Sequence, residues 1–285
     1  MPLARTFLPA LVITLVGGLL SGAEPQNQVR LALLRGVPEK WNLERNFSVF
    51  EKAVAKAAES EAQLFITPEC WLDGYASPDP ESSIERLVSV SQDLDSSSYL
   101  KTVSQLAKKH DMWICFGFTS LEKGQAHNAA GLWNDEGQLV GVYHKTHLQR
   151  HDLQYAAGKD LPVFESPWGK LGILICADRR WPESSRVLRL KGARMILNPT
   201  YGFWNDLNEA MIRTRSYEDE LYFAFTHPQQ SLITGTKGEI IANEKGPDDG
   251  SWDVSITDLD LGFVDDHGHM ADRRPDIYKP LSENK

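Results

Sequence analysis

Three cysteines in 285 residues are too few for a disulfide scaffold, and an odd number leaves at least one thiol without an intramolecular partner. Basic charge is also scarce: 30 Lys and Arg against 39 Asp and Glu give a net charge of -9. That balance argues against a nonspecific nucleic-acid binder or a surface built for anionic lipid, and a small solute fits better as partner. Past residue 20 no long apolar run occurs, so nothing in the rest of the chain predicts a membrane span. Internal repeats, low-complexity linkers, a Gly-rich phosphate loop, HExxH and a GxSxG elbow are all missing, which removes the commonest nucleotide-binding, zinc-protease and serine-hydrolase readings. What remains, at 41% hydrophobic and 24% charged residues, is the composition of a chain with a full hydrophobic core.

The first 23 residues stand apart. Arg5 is their only charge, Phe7 to Leu20 is apolar except for Thr14 and Gly17-Gly18, and Ser21-Gly22-Ala23 supplies small residues where a signal peptidase reads. The apolar run is short for a bilayer span, and no cysteine follows it to accept lipid. Residues 1–23 therefore read as a signal peptide cleaved before Glu24. The expectation is an exported protein, periplasmic or secreted, free of the membrane after cleavage, with 24–285 as one domain.

The rest alternates between strand-like and helix-like stretches. Val29 to Leu34 reads as a buried strand, and Leu43, Phe47, Phe50, Val54 and Ala57 recur at the three- and four-residue steps of an amphipathic helix. Leu64 to Ile66 and Met112 to Phe118 read as strands, Ser77 to Ser83 as a surface loop, and Tyr99 to Lys109 as a helix. Two hairpins follow, Ala129–Trp133 with Leu139–His144, and Val163-Phe164 with Leu171–Ile175, each joined by turn-forming residues. Then come a helix opened by Pro182-Glu183, a strand at Met195 to Leu197, a helix from about Leu207 to Glu220, a strand at Tyr222 to Thr226, and a hairpin around Gly235 to Gly238. Parallel units mixed with hairpins predict an α/β fold of layered sheets with helices outside.

Three apolar strands end in a reactive group: Leu64-Phe65-Ile66 leads to Glu69, Val140 to Tyr143 leads to Lys145, and Gly172 to Ile175 leads to Cys176. Strand ends are rigid and open onto a crevice. Taken singly, a buried cysteine or a solvated charge is the commoner reading of each. Together they form a chemical set, because a thiol needs a base, a carboxylate is one, and a fixed ammonium stabilises the oxyanion left when a thiolate attacks a carbonyl.

At these segments the sequence resembles the nitrilase, or carbon–nitrogen hydrolase, superfamily. The resemblance lies in Pro68-Glu69 with Gly74-Tyr75 following, in Tyr143-His144-Lys145-Thr146-His147-Leu148, and in Gly172 to Glu183 around Cys176. It extends to Leu190-Lys191-Gly192-Ala193, Arg213 to Glu218, and Asp272 to Tyr278. What it implies is a four-layer αββα sandwich in subunits that associate as homodimers or larger homo-oligomers. It also implies a catalytic triad of Glu69, Lys145 and Cys176, with the backbone N–H of Ala177 at the oxyanion and no cofactor. The implied reaction is hydrolysis of a small amide or N-carbamoyl substrate through a cysteine thioester, since Ala177-Asp178 stands where nitrilases of the family typically carry Trp-Glu. Two departures stand out. Where many members place a second glutamate that orients the lysine, counting back from Gly158 reaches His151, with Asp152 beside it as the other candidate. The stretch from Thr226 to Thr234 is short for the family, which would alter substrate access.

Trp71, Tyr75, Trp181, Tyr201 and Trp204 lie near these motifs and are candidates for a substrate pocket, with core packing as the competing role. His144, His147 and His151, spaced by three and four with Asp152 adjacent, suggest an alternative metal-dependent hydrolase, although Lys145 among them opposes a cation. His267 and His269 make a weaker group. No metal is expected on balance. A further alternative is a secreted binding protein without activity on the same scaffold. In an oxidising compartment the odd cysteine count fits Cys176 kept single, with Cys70 and Cys115 paired or both buried.

Overall fold

The computed structural model describes residues 26–202, 204–262 and 268–283; the expected signal peptide at 1–23 and His267 lie outside the described residues. In chain order the elements are β1 (Gln28–Gly36), α1 (Leu43–Glu59), β2 (Leu64–Ile66), α2 (Ile84–Val90), α3 (Ser98–Lys109), β3 (Trp113–Glu122), β4 (Gln125–Trp133) and β5 (Leu139–His144). After them come β6 (Val163–Phe164), β7 (Lys170–Ile173), α4 (Pro182–Leu190), β8 (Ala193–Pro199), α5 (Asp206–Asp219), β9 (Tyr222–His227), β10 (Gln230–Thr234), β11 (Ile240–Lys245) and β12 (Trp252–Asp260). The strands form two six-stranded sheets, β12-β1-β2-β3-β4-β5 and β11-β10-β9-β8-β7-β6. Each has a parallel centre, β1-β2-β3 in one and β7-β8-β9 in the other, and antiparallel flanks.

Side-chain alternation turns these sheets into four layers. Leu31 and Leu33 of β1 point into one cluster with Ile66, Cys115, Leu132, Ile173, Met195, Leu197 and Ala224, so that cluster fills the space between the sheets. Ala32 and Leu34 point the other way, against Phe47, Phe50 and Val54 of α1 and Val103 and Ala107 of α3. On the far side, Ile196, Phe223 and Phe225 meet Leu188 of α4 and Ile212 of α5. Strands apolar on both faces and helices apolar on one are what an αββα sandwich requires. The helices begin where the residues dictate. Asn42 caps α1 by accepting from Arg45 N–H at 3.1 Å, Ser97 caps α3, and Pro182 occupies the first position of α4.

Two elements were not anticipated. Helix α2 is only seven residues long, with Leu87 alone buried, too little for a periodic signal. Strand β12 carries four acidic or hydroxyl residues between its apolar ones, and its place is set by pairing along all of β1, from Gln28 with Asp260 to Gly36 with Trp252. An Arg30–Asp258 ion pair of 2.6 Å and an Arg35–Asp253 pair of 3.2 Å lie across that register. The short stretch after Thr226 is a hairpin in which only Pro228 and Gln229 separate β9 from β10.

Candidate active site

The residues singled out at strand ends converge where the two sheets meet. Strand β2 ends at Ile66, and Thr67 locks the turn to Glu69: its N–H donates to the Cys115 carbonyl at 3.0 Å and its hydroxyl accepts from Gly117 N–H at 2.8 Å. Gly117 must be a glycine, because a Cβ there would collide with the Pro68 carbonyl. Glu69 is buried. Its Oε1 accepts from Lys145 Nζ at 2.8 Å and from Asn128 Nδ2 at 2.8 Å, and its Oε2 accepts from Tyr201 N–H at 2.9 Å.

Lys145 follows β5. Its main chain is held by Asn128, whose carbonyl accepts from Lys145 N–H at 2.9 Å, and by Gly158, whose N–H donates to the Lys145 carbonyl at 2.9 Å. The ammonium is fully enclosed between two carboxylates, Glu69 and Asp152, the latter at 2.6 Å. Asp152 is itself buried, and its other oxygen accepts from the Tyr75 hydroxyl at 2.9 Å. His151 stands one step further out, its Nε2 at 2.9 Å from that hydroxyl. Of the two candidates for orienting the lysine, Asp152 therefore makes the contact, and His151 reaches it through Tyr75.

Cys176 opens a short 3-10 turn (Cys176–Arg180) just past β7, with its backbone in the left-handed region at φ 46°. Such a conformation is unfavourable for a residue with a Cβ and persists only where neighbours enforce it. Here they do. Buried Asp178 accepts from Ile175 N–H at 2.9 Å and the Tyr143 hydroxyl at 2.8 Å with one oxygen, and from His147 N–H at 2.9 Å with the other. Arg179 donates to the Cys176 carbonyl at 2.6 Å. The thiol lies 3.6 Å from the Tyr201 carbonyl, so the Tyr201 residue touches the thiol through its C=O and Glu69 through its N–H. Ala177 N–H belongs to the first turn of that helix, where backbone donors have no intrahelical partner.

Burial pushes the Cys176 thiol above its ordinary value and Glu69 adds to the rise, while Lys145 and Arg179 oppose it. At neutral pH the resting group is a thiol, which needs a base at the moment of attack. Burial works against the charge on Lys145, but Glu69, Cys176 and Asp152 outweigh it and hold the ammonium well above the ordinary lysine range. Lys145 is thus a fixed cation and not a proton donor near neutrality.

The aromatic candidates divide. Tyr75 and Tyr201 lie beside the triad with ring centroids 4.9 Å apart, and Trp181 is exposed by 36% and stacks on His147 at 4.3 Å. Trp71 is a correction: it is buried in the cluster under α1 and α3, its indole N–H donating to the Asn46 carbonyl at 2.8 Å. Trp204 packs on Phe225 at 4.8 Å. The three histidines of the alternative metal site part company as well. His144 Nε2 meets Ser120 Oγ at 3.0 Å, His147 Nδ1 meets Asp178 Oδ1 at 2.9 Å, and His151 meets Tyr75. The segment leaves a strand rather than continuing as a helix, so the steps of three and four bring no common centre. His269 packs against the Tyr217 ring at 4.7 Å.

Asn128 and the main chain of Tyr201 escaped the sequence reading. Asn128 had a faint signal, a carboxamide immediately before the small and apolar run Ala129 to Leu132; Tyr201 acts through its backbone and had none. All three cysteines are free, with Cys70 and Cys115 buried.

A model of the carbon-nitrogen hydrolase family matches residues 30–267. The chain is 28% identical to a protein of Pseudomonas protegens described as a hydrolase in the pqqF 5' region, over 98% of this chain and 99% of that one. It is 27% identical to the probable nitrilase C965.09 of Schizosaccharomyces pombe, over 89% of this chain and 98% of that one. Among solved structures, an amidase from Nesterenkonia sp. superposes with a TM-score of 0.73 at 20% identity, covering 89% of this chain and 96% of its own.

Proposed function

Since the chain belongs to the carbon–nitrogen hydrolase family, we propose that it hydrolyses the carbon–nitrogen bond of a small amide or N-carbamoyl compound through a thioester on Cys176. The observation that carries this reading is the enclosed Glu69–Lys145–Asp152 array, joined to the Cys176 turn by the Tyr201 peptide. Glu69 accepts the Cys176 proton as sulfur attacks the carbonyl carbon, and the oxyanion forms between the Lys145 ammonium and Ala177 N–H. The carbon–nitrogen bond then breaks as the proton passes from Glu69 to the leaving nitrogen. The same carboxylate next takes a proton from water, which attacks the thioester, and the proton returns to the sulfur as the thiol leaves. The product is a carboxylic acid from an amide, or carbamic acid, which breaks down to carbon dioxide and ammonia, from an N-carbamoyl compound. Every proton is returned, and the cycle uses no cofactor. Ala177-Asp178 after the nucleophile favours an amide over a nitrile, with Asp178 committed to the turn rather than to the substrate.

Export through residues 1–23, and assembly into a homodimer or larger homo-oligomer, complete the proposal; Edman sequencing of exported protein should begin at Glu24, and light scattering should give a multiple of the chain mass. The decisive experiment assays amides, N-carbamoyl compounds and nitriles with wild type and Cys176→Ala in parallel. Carboxylic acid with ammonia or amine from an amide, or amine, carbon dioxide and ammonia from an N-carbamoyl compound, absent with the variant, together with an acyl adduct on Cys176 by mass spectrometry, is the expected result. Turnover retained by Cys176→Ala, or abolished by a chelator while Cys176 still alkylates, would overturn it.

A further inference from the structure

Outside the catalytic array, a groove of about 720 Å³ runs along β4 and β5 and includes Glu122, His127, His144, Gly158 and Lys159 in its lining. Strand register places three of these on one face. His127 pairs with Ser120, Glu122 lies two residues along from Ser120, and His144 pairs with Ala129, two residues along from His127. Two-residue steps and direct cross-strand pairs share a face, which is the outer face bearing Phe116 and Phe118. One nitrogen or oxygen from each of Glu122, His127 and His144 lies within 4.8 Å of the other two.

We propose that Glu122, His127 and His144 form a binding site for one divalent first-row transition-metal cation of the zinc class. Two imidazoles and a carboxylate are a nitrogen-rich donor set that suits zinc and its neighbours and not the all-oxygen preference of calcium or magnesium. His144 is already oriented for it. Its Nε2 is engaged by Ser120 Oγ at 3.0 Å, and its Nδ1 faces Glu122 Oε2 at 3.6 Å. In the tautomer whose Nε2–H donates to Ser120 Oγ, the lone pair sits on Nδ1 toward the carboxylate, the arrangement in which an outer partner fixes a ligand's tautomer. A tetrahedral zinc with bonds of about 2.0–2.1 Å needs ligand atoms about 3.3 Å apart. The His144–Glu122 spacing is nearly there, and Glu122 lies in the exposed part of the groove, where it is free to adjust.

His127 supplies the independent observation. It is 7% exposed, and its Nδ1 is buried with no hydrogen-bond partner; its ring stacks on His144 at 4.3 Å with planes 17° apart, so sharing one ion requires one ring to turn out of the stack. Two imidazoles stacked this closely cannot both carry a proton cheaply, so at least one of the rings keeps a free lone pair. Lys123 lies 3.7 Å from the other oxygen of Glu122, and at 88% exposure its side chain is free to swing away; Lys159 also lines the groove.

The test uses full-length protein carrying Cys176→Ala, so that no catalytic thiol competes for metal, stripped with a chelator and titrated with Zn2+ by calorimetry. One Zn2+ per chain is expected. Affinity should fall by about 100-fold or more with His127→Ala and by about 10-fold or more with Glu122→Gln. Glu122 is exposed, so that variant keeps its fold and its result is decisive. X-ray absorption of the bound metal should show two imidazoles and only oxygen besides. Equal affinity in Glu122→Gln and the parent, a sulfur ligand, or no binding by folded parent protein would each overturn the site.

Discussion

Strands β4 and β5 carry two sets of polar residues that differ by a single step in sequence. Asn128 and Lys145 serve the Glu69 array, while His127 and His144 lie on the opposite, outer face. The inner set is ionic and closed: one ammonium between two carboxylates, with Lys145, Glu69 and Asp152 side chains all inaccessible. The outer set is a stacked pair of imidazoles open to a groove, with the His127 Nδ1 left unpartnered. A charge removed from water must be paired or it forces its own neutralisation, whereas a neutral imidazole tolerates incomplete pairing at modest cost. The inner face can therefore hold a fixed cation beside a thiol, and the outer face keeps lone pairs free for a ligand.

The comparison is broken most completely by removing the thiol. Cys176→Ala should lower kcat by at least about 10^4-fold in a steady-state assay with an active amide, because no other group supplies the nucleophile. Its thermal unfolding should stay near that of wild type. Next in size is a change on the outer side alone. Trp71→Ala empties the cluster under α1 and α3, and chemical denaturation should show a loss of about 3–5 kcal/mol. KM should not move, since Trp71 is packed in that cluster with its indole N–H on the Asn46 carbonyl; a raised KM with unchanged stability would return it to the pocket. Asp152→Asn keeps the shape but removes one carboxylate from Lys145. The expected fall in kcat is about 10- to 100-fold from a less well-placed ammonium, with KM little changed.

The smallest effect separates the two faces by pH. His144 is held at about 4, below the ordinary 6.5, by burial and by His127. Folding then favours the neutral ring. Its contribution is fully present above pH 6.5 and is lost as pH falls through 6.5 toward 4, about 1–2 kcal/mol once partial solvent screening is allowed for. Denaturation of wild type and His144→Gln at pH 7.5 and pH 4.5 should show the wild type losing more. Equal losses would place the cost of acid elsewhere, in the carboxylates around Lys145.

Much of this was legible in the chain. The apolar runs of β1, β2, β7 and β8 marked strands buried on both faces, and the steps from Leu43 to Ala57 marked α1. β12 escaped because its acidic residues read as surface until Arg30 and Arg35 of β1 meet them. Within the site, Glu69, Lys145 and Cys176 stood out as reactive groups at the ends of apolar strands, and the resemblance to the carbon–nitrogen hydrolases implied that they act together. Whether His151 or Asp152 faces the lysine was open, and the short turn at Arg150–Asp152 settles it by sending the aspartate inward and leaving the histidine half-exposed.

By itself the sequence determined which reactive groups the protein owns, their order, and the strands that deliver them, because side-chain periodicity and strand ends are local properties. Tertiary structure decided which of those groups meet. Asn128 reaches Glu69 across 59 residues and Tyr201 across 132, and Glu122, His127 and His144 share a face only through the register of three strands. Pairing register turns every residue to one face or the other, and it is fixed by packing between distant segments that no local pattern records.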